Sequence, residues 1–166
     1  SVYIMSPCCL APMGTGPANP AIAKAIAEVK SPADSAKLGF GPRAQLAQSA
    51  AWAPNPKNPP LFLDLPVKDG VVQADVQARF AANSPLAFLD QHVGDLRRYR
   101  AISIDVGDQD GLKSGSTKLH EALDRYGIAH GFEIYTGTHT SHVAVRFQNF
   151  VMPFFSKNLC FDKSCK

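Results

Sequence analysis

The sequence predicts an α/β protein built on a parallel sheet, and three observations carry that expectation. Val2-Tyr3-Ile4-Met5 is a short continuous apolar run halted by Ser6-Pro7, which suits a strand covered on both faces. Ala101-Ile102-Ser103-Ile104 and Gly131-Phe132-Glu133-Ile134-Tyr135 read as two further strands. An amphipathic helix separates them and another follows the second, and that alternation implies right-handed parallel crossovers. In such sheets the chemistry gathers at the carboxyl ends of the strands.

At 166 residues, 45% hydrophobic and 19% charged, the chain can bury a real core, and a single domain over residues 1–166 is expected. A net charge of +3 is mild and the Lys and Arg are scattered, which excludes a nucleic-acid surface as the organising feature. Arg97-Arg98-Tyr99-Arg100 is the one cluster, and at the end of a predicted helix such cations complement the helix dipole. There is no run of roughly eighteen apolar residues, so no helical membrane span is predicted, and no signal-peptide pattern is seen. The opening Ser1-Val2-Tyr3-Ile4-Met5 has the character of a protein interior, so the chain is expected to be a piece of something longer.

In chain order, Asn19-Pro20 supplies an N-cap and a first-turn proline for a helix to about Lys30, with Ile22, Ile26 and Val29 on one face. Residues 31–60 are rich in Ala, Pro, Gly and Asn and predict a long irregular region, with a helix over Arg43–Ala51. Leu61 to Pro66 resembles a short strand, which the flanking prolines restrict to an edge or an extended loop. A short helix is expected over Ala74–Ala81. A longer one is expected from Ser84-Pro85, with Leu86, Leu89, Val93 and Leu96 at helical spacing.

Leu119, Ala122, Leu123 and Tyr126 form the stripe of the next helix, closed by Gly127. The last helix is expected from Thr140 or Ser141, with Val143, Phe147, Phe150, Val151 and Phe154 on one side.

The chemistry-bearing residues lie in two loops. Asp105, Asp108 and Asp110 sit at or past the end of one strand, and His139 and His142 follow Gly137 past the end of the next. Carboxylates there either orient an imidazole or form a turn, since Asp and Gly favour turns in any context. An EF-hand reading of Asp108-x-Asp110-Gly111 fails because its first and last ligand positions fall on Val106 and Thr117. His139 and His142 could hold a metal as an i, i+3 pair, but no further ligand pattern supports them, so neither a metal nor a cofactor is expected.

The four cysteines, Cys8, Cys9, Cys160 and Cys165, lack Cys-x-x-Cys spacing. A Cys160–Cys165 disulfide suits an oxidising compartment and reduced thiols a reducing one, which leaves localisation open.

The Ile104 to Asp110 segment, the Leu119 and Leu123 spacing, and Gly137-Thr138-His139 ahead of an aromatic C-terminal helix resemble the last part of esterases of the esterase D, feruloyl esterase and antigen 85 type. The opening strand ending in Ser6-Pro7 resembles the strand after that family's nucleophile helix. The resemblance implies an α/β-hydrolase fold, present here in part, with Asp110 as triad acid and His139 as triad base. The small substrate would be an ester.

The chain departs from that family in lacking the Gly-x-Ser-x-Gly nucleophile elbow, which is expected upstream of Ser1. Gly111-Leu112-Lys113-Ser114-Gly115 has its serine one place late and follows the acid. Ser6 has no flanking glycine, and Cys8 and Cys9 carry no sign of activation. The expectation is therefore an esterase fragment, weak or inactive alone, that pairs with the N-terminal half of the hydrolase or self-associates through an open sheet edge. The alternative is a non-catalytic remnant that binds a ligand or metal through Asp108, Asp110, His139 and His142.

Overall fold

The computed structural model describes residues 1–11 and 19–161. The chain divides into two compact units, one made of Ser1–Ala11 with Phe88–Lys166 and the other of Pro12–Ala87.

The first unit is α/β, as the sequence predicts. Its sheet has the order β1 (Val2–Met5), β4 (Ile102–Gly107), β5 (Gly131–Tyr135), and both pairings are parallel. β4 runs longer than expected and is the middle strand, with Ile104 and Val106 fully buried. Helix α6 (Lys113–Arg125) connects β4 to β5 and packs on β4, burying Leu119, Ala122 and Leu123. Gly127 ends the segment in the left-handed region at φ 63°, where glycine is unstrained.

Opposite alternation along β4 sends Asp105 to the other face, where the final helical segment meets it. Strand register does the rest: Gly107 pairs with Tyr135, so the loops after β4 and β5 leave the sheet side by side.

Two helices differ from expectation. The predicted helix from Ser84 is broken into α4 (Pro85–Phe88), a 3₁₀ turn (Leu89–His92) and α5 (Val93–Leu96). Ser84 is buried and its hydroxyl donates to the Phe80 carbonyl, a bond back to the preceding helix rather than a cap on the next.

The C-terminal helix begins at Val143 as α7 (Val143–Arg146), widens into a π-helical turn (Phe147–Val151) and resumes as α8 (Met152–Asn158). That extra residue shifts the phase of the residues after the turn relative to those before it. Val151 is buried and Phe154 packs edge-on against Tyr3, while Val143, Phe147 and Phe150 face solvent.

The second unit holds α1 (Pro20–Ala27), a 3₁₀ turn (Pro32–Lys37), α2 (Phe40–Trp52), a small hairpin of β2 (Val67–Lys68) and β3 (Val71–Val72), and α3 (Ala74–Ala82). The Asn19 side chain accepts from the Ala21 amide, the predicted cap. Ile26, Val29, Leu46 and Leu63 form one core and Ala53, Val76 and Phe80 another, with Trp52 edge-on to Phe80. Leu61 to Pro66 is a turn with a single bridge, Leu63 to Pro54, and not a strand. The hairpin, which sequence reading missed, turns on Asp69-Gly70, both at positive φ. No described helix is long and apolar enough to cross a membrane.

Candidate active site

The three aspartates in and just after β4 have three separate roles. Asp105 is in the core: its Oδ2 accepts from Arg146 Nε at 2.8 Å and from the Tyr3 hydroxyl at 2.9 Å. Arg146 also donates to Glu133 at 2.7 Å and lies over the rings of Tyr135 and Phe150 at 4.1 and 4.3 Å. Burial works against the guanidinium charge, but the bonds it donates to Glu133 and Asp105 outweigh it and hold Arg146 above its ordinary pKa. Burial, then the bond to Asp105, pushes the Tyr3 phenol up to about 12. This cluster ties β1, β4, β5 and α7 together, and it leaves Asp105 no part in orienting a histidine.

Asp108 is a clamp between loops. Its Oδ1 accepts from the Gly137 amide at 2.9 Å, the Asp108 amide donates to the Tyr135 carbonyl at 2.7 Å, and the Gln109 amide donates to the Gly137 carbonyl at 2.9 Å. The two loops touch closely at Gly107, where an added Cβ would run into the Gly137 carbonyl. Gly107→Ala is therefore expected to push the loops apart and destabilise the chain by about 1–3 kcal/mol, read from urea unfolding. A loss near zero would mean the loops are not held at that contact.

Asp110 orients the imidazole. Its Oδ2 is 2.9 Å from His139 Nδ1, and its Oδ1 accepts from the Leu112 amide at 2.9 Å. The carboxylate side chain is 2% exposed and the imidazole 56%, so a dry acid holds a reachable ring. Burial raises the carboxyl pKa, but the Leu112 amide, the His139 ring and the Ser6 hydroxyl together more than offset it, and the net shift is downward. An ionised Asp110 requires the proton on Nδ1 of His139, which leaves Nε2 free to act as a base.

His142 does not join this pair. It sits in the left-handed region at φ 63° ahead of α7, with its ring 6.5 Å from that of Tyr135. Asp108, Asp110 and His139 thus have mutual or backbone partners rather than a shared ligand-binding focus.

Sequence reading missed Ser6 as a support for Asp110. Its position at the end of a strand beside β4 is the signal that could have found it, and it stands at φ 42° with its amide donating to the Asp105 carbonyl at 2.8 Å. Arg146 was also missed, because an arginine in an apolar helical stripe reads as a solvated exception. The sulfurs of Cys8 and Cys9 lie 3.0 Å apart, and the bond from Cys9 raises the Cys8 thiol pKa, the opposite of an activated nucleophile. Cys160 is disulfide-bonded; Cys165, with which the sequence left a pairing open beside reduced thiols, lies outside the described residues.

No family model matches the sequence, and no curated protein matches it. Among solved structures, a ferulic acid esterase is similar over 58% of this chain at 21% sequence identity, with a TM-score of 0.44. The chain corresponds to 38% of that protein's length.

Proposed function

We propose that this chain carries the acid and the base of a serine ester hydrolase, Asp110 and His139, and that the nucleophilic serine lies on a segment outside residues 1–166. The observation that carries this reading is the 2.9 Å bond from a buried, ionised carboxylate to a half-exposed imidazole. His139 Nε2 would take the proton of the serine hydroxyl as it attacks the ester carbonyl, then hand it to the leaving alcohol. Asp110 stays ionised throughout and stabilises the imidazolium.

Ser6 is read as a support and not as the nucleophile, because its side chain helps hold the Asp110 carboxyl below its ordinary pKa. The ester class rests on the loop motifs around Asp110 and Gly137-Thr138-His139.

β1 is an outer strand of the sheet, and its outer edge is where a nucleophile-bearing strand would pair. The partner of this reading is accordingly the N-terminal half of the same hydrolase, or a second copy of the chain at that edge when it is absent.

The test compares the chain alone with the chain extended upstream by its own coding sequence. Alone, it is expected to hydrolyse p-nitrophenyl acetate near the buffer rate and to sediment as more than 17.8 kDa. Extended, it is expected to turn over the ester and to lose the self-association. Turnover by the isolated chain that disappears in His139→Ala would place a nucleophile within residues 1–166 and sink the proposal.

A further inference from the structure

His120 and Asp124 are four apart on α6 and share one face of the helix. His130 stands in the turn just before β5 and faces them: its Nε2 is 2.8 Å from His120 Nδ1, and His120 Nε2 is 3.5 Å from Asp124 Oδ2. One ligand atom from each of the three residues lies within 4.8 Å of the others. From this convergence we infer that His120, Asp124 and His130 form a site for a borderline divalent transition-metal ion, of which Zn²⁺ is the type.

The two rings are already positioned for that task. His130 Nδ1 is 2.8 Å from the Ile128 carbonyl, and donating there puts the proton on Nδ1 and leaves the Nε2 lone pair pointing at His120. A backbone carbonyl on the far nitrogen is the outer support that metal-binding histidines require. The His120 ring is stacked on Phe132, centroids 4.3 Å apart and 14° from parallel, which fixes its plane. Without a metal the facing nitrogens share one hydrogen bond. With Zn²⁺ between them they would move apart to roughly 3.3 Å, the separation that Zn–N bonds in tetrahedral geometry require.

Asp124 Oδ2 stands 3.5 Å from the other nitrogen of His120, Nε2, and on its exposed side chain would swing toward the ion to supply an anionic oxygen that offsets part of its charge, with water completing the coordination. Two imidazoles and one carboxylate select zinc, nickel or copper over magnesium and calcium, which require oxygen donors throughout.

The site lies at the other end of the sheet from the proposed catalytic pair. His130 precedes β5 and His139 follows it, and the C-terminal half of α6 carries His120 and Asp124. A metal there would fasten α6 to the start of β5, a structural clasp and not a catalytic centre. It is independent of the ester-hydrolase proposal.

The experiment is calorimetric titration of the full chain with ZnCl₂ at neutral pH, paired with thermal melts. One ion per chain is expected, with a raised melting temperature. His120→Gln and His130→Gln should each weaken binding at least about tenfold. Asp124 is exposed, so Asp124→Asn should fold normally and still weaken binding severalfold, which decides the matter if a glutamine variant fails to fold. MgCl₂ should give no saturable heat, and a Cys8→Ser, Cys9→Ser variant should bind zinc like the parent. Binding unchanged in Asp124→Asn and in the glutamine variants, or lost with the cysteines, overturns the site.

Discussion

Arg146→Met is expected to destabilise the sheet-bearing unit by about 3–5 kcal/mol, the range for removing one partner of a buried ion pair. The side chain is 5% exposed and its partner Asp105 is 1% exposed, so water cannot replace the lost charge. The other oxygen of Asp105 is buried with no hydrogen-bond partner among the described residues, so the carboxylate depends on Arg146 and Tyr3 alone. Methionine keeps most of the volume between Tyr135 and Phe150, which separates the electrostatic effect from a cavity.

Urea unfolding followed by circular dichroism measures the loss. Asp105→Asn in the Arg146→Met background should recover part of it, because the stranded charge is then gone. A single-variant loss under about 1 kcal/mol would show that the cluster is not a determinant of the fold.

On the ester-hydrolase proposal, Asp110→Asn made in the chain extended upstream is expected to lower ester turnover about 10⁴-fold at neutral pH. The asparagine would keep the hydrogen bond but can donate as well as accept, so the imidazole loses the proton arrangement that leaves Nε2 basic. It would also lose the fixed negative charge that stabilises the imidazolium. The effect belongs in kcat, since neither Asp110 nor the bond it makes faces a substrate directly.

The sign of the pH dependence follows from the downward shift of Asp110. The stability it contributes is present above the ordinary carboxylate pKa and is lost as the pH falls through the lower folded value. A drop in turnover under tenfold for Asp110→Asn would show that His139 is oriented by something other than this carboxylate.

The strands and the two polar loops were legible because each rests on local signals. A continuous apolar run names a buried strand, Gly127 names a helix end, and a carboxylate or histidine just past a strand names a crevice. Position past the strands and the family resemblance single out Asp110 over Asp105 and Asp108, and His139 over His142; the structure sets His139 Nδ1 2.9 Å from Asp110 Oδ2.

What could not be read depends on contacts far apart in sequence. Arg146 stands in an apolar stripe, and only the fold reveals that a charge 41 residues away is waiting for it. The π turn has no local sequence mark, and of the residues predicted on one side of that helix Val143, Phe147 and Phe150 stand exposed while Val151 is buried. The pairing of His120 with His130 is invisible for the same reason: one belongs to a helix and the other to the turn after it. In the second unit, Asp69-Gly70 is a recognised hairpin signal that was passed over because its flanking strands are only two residues long.

The clamp between the β4 and β5 loops bears on motion. The Asp108 carboxylate, the Gln109 amide and the close approach at Gly107 join the two loops at several points. Displacement of one loop therefore drags the other. The gap between Asp110 and His139 should fluctuate less than the position of either residue in space.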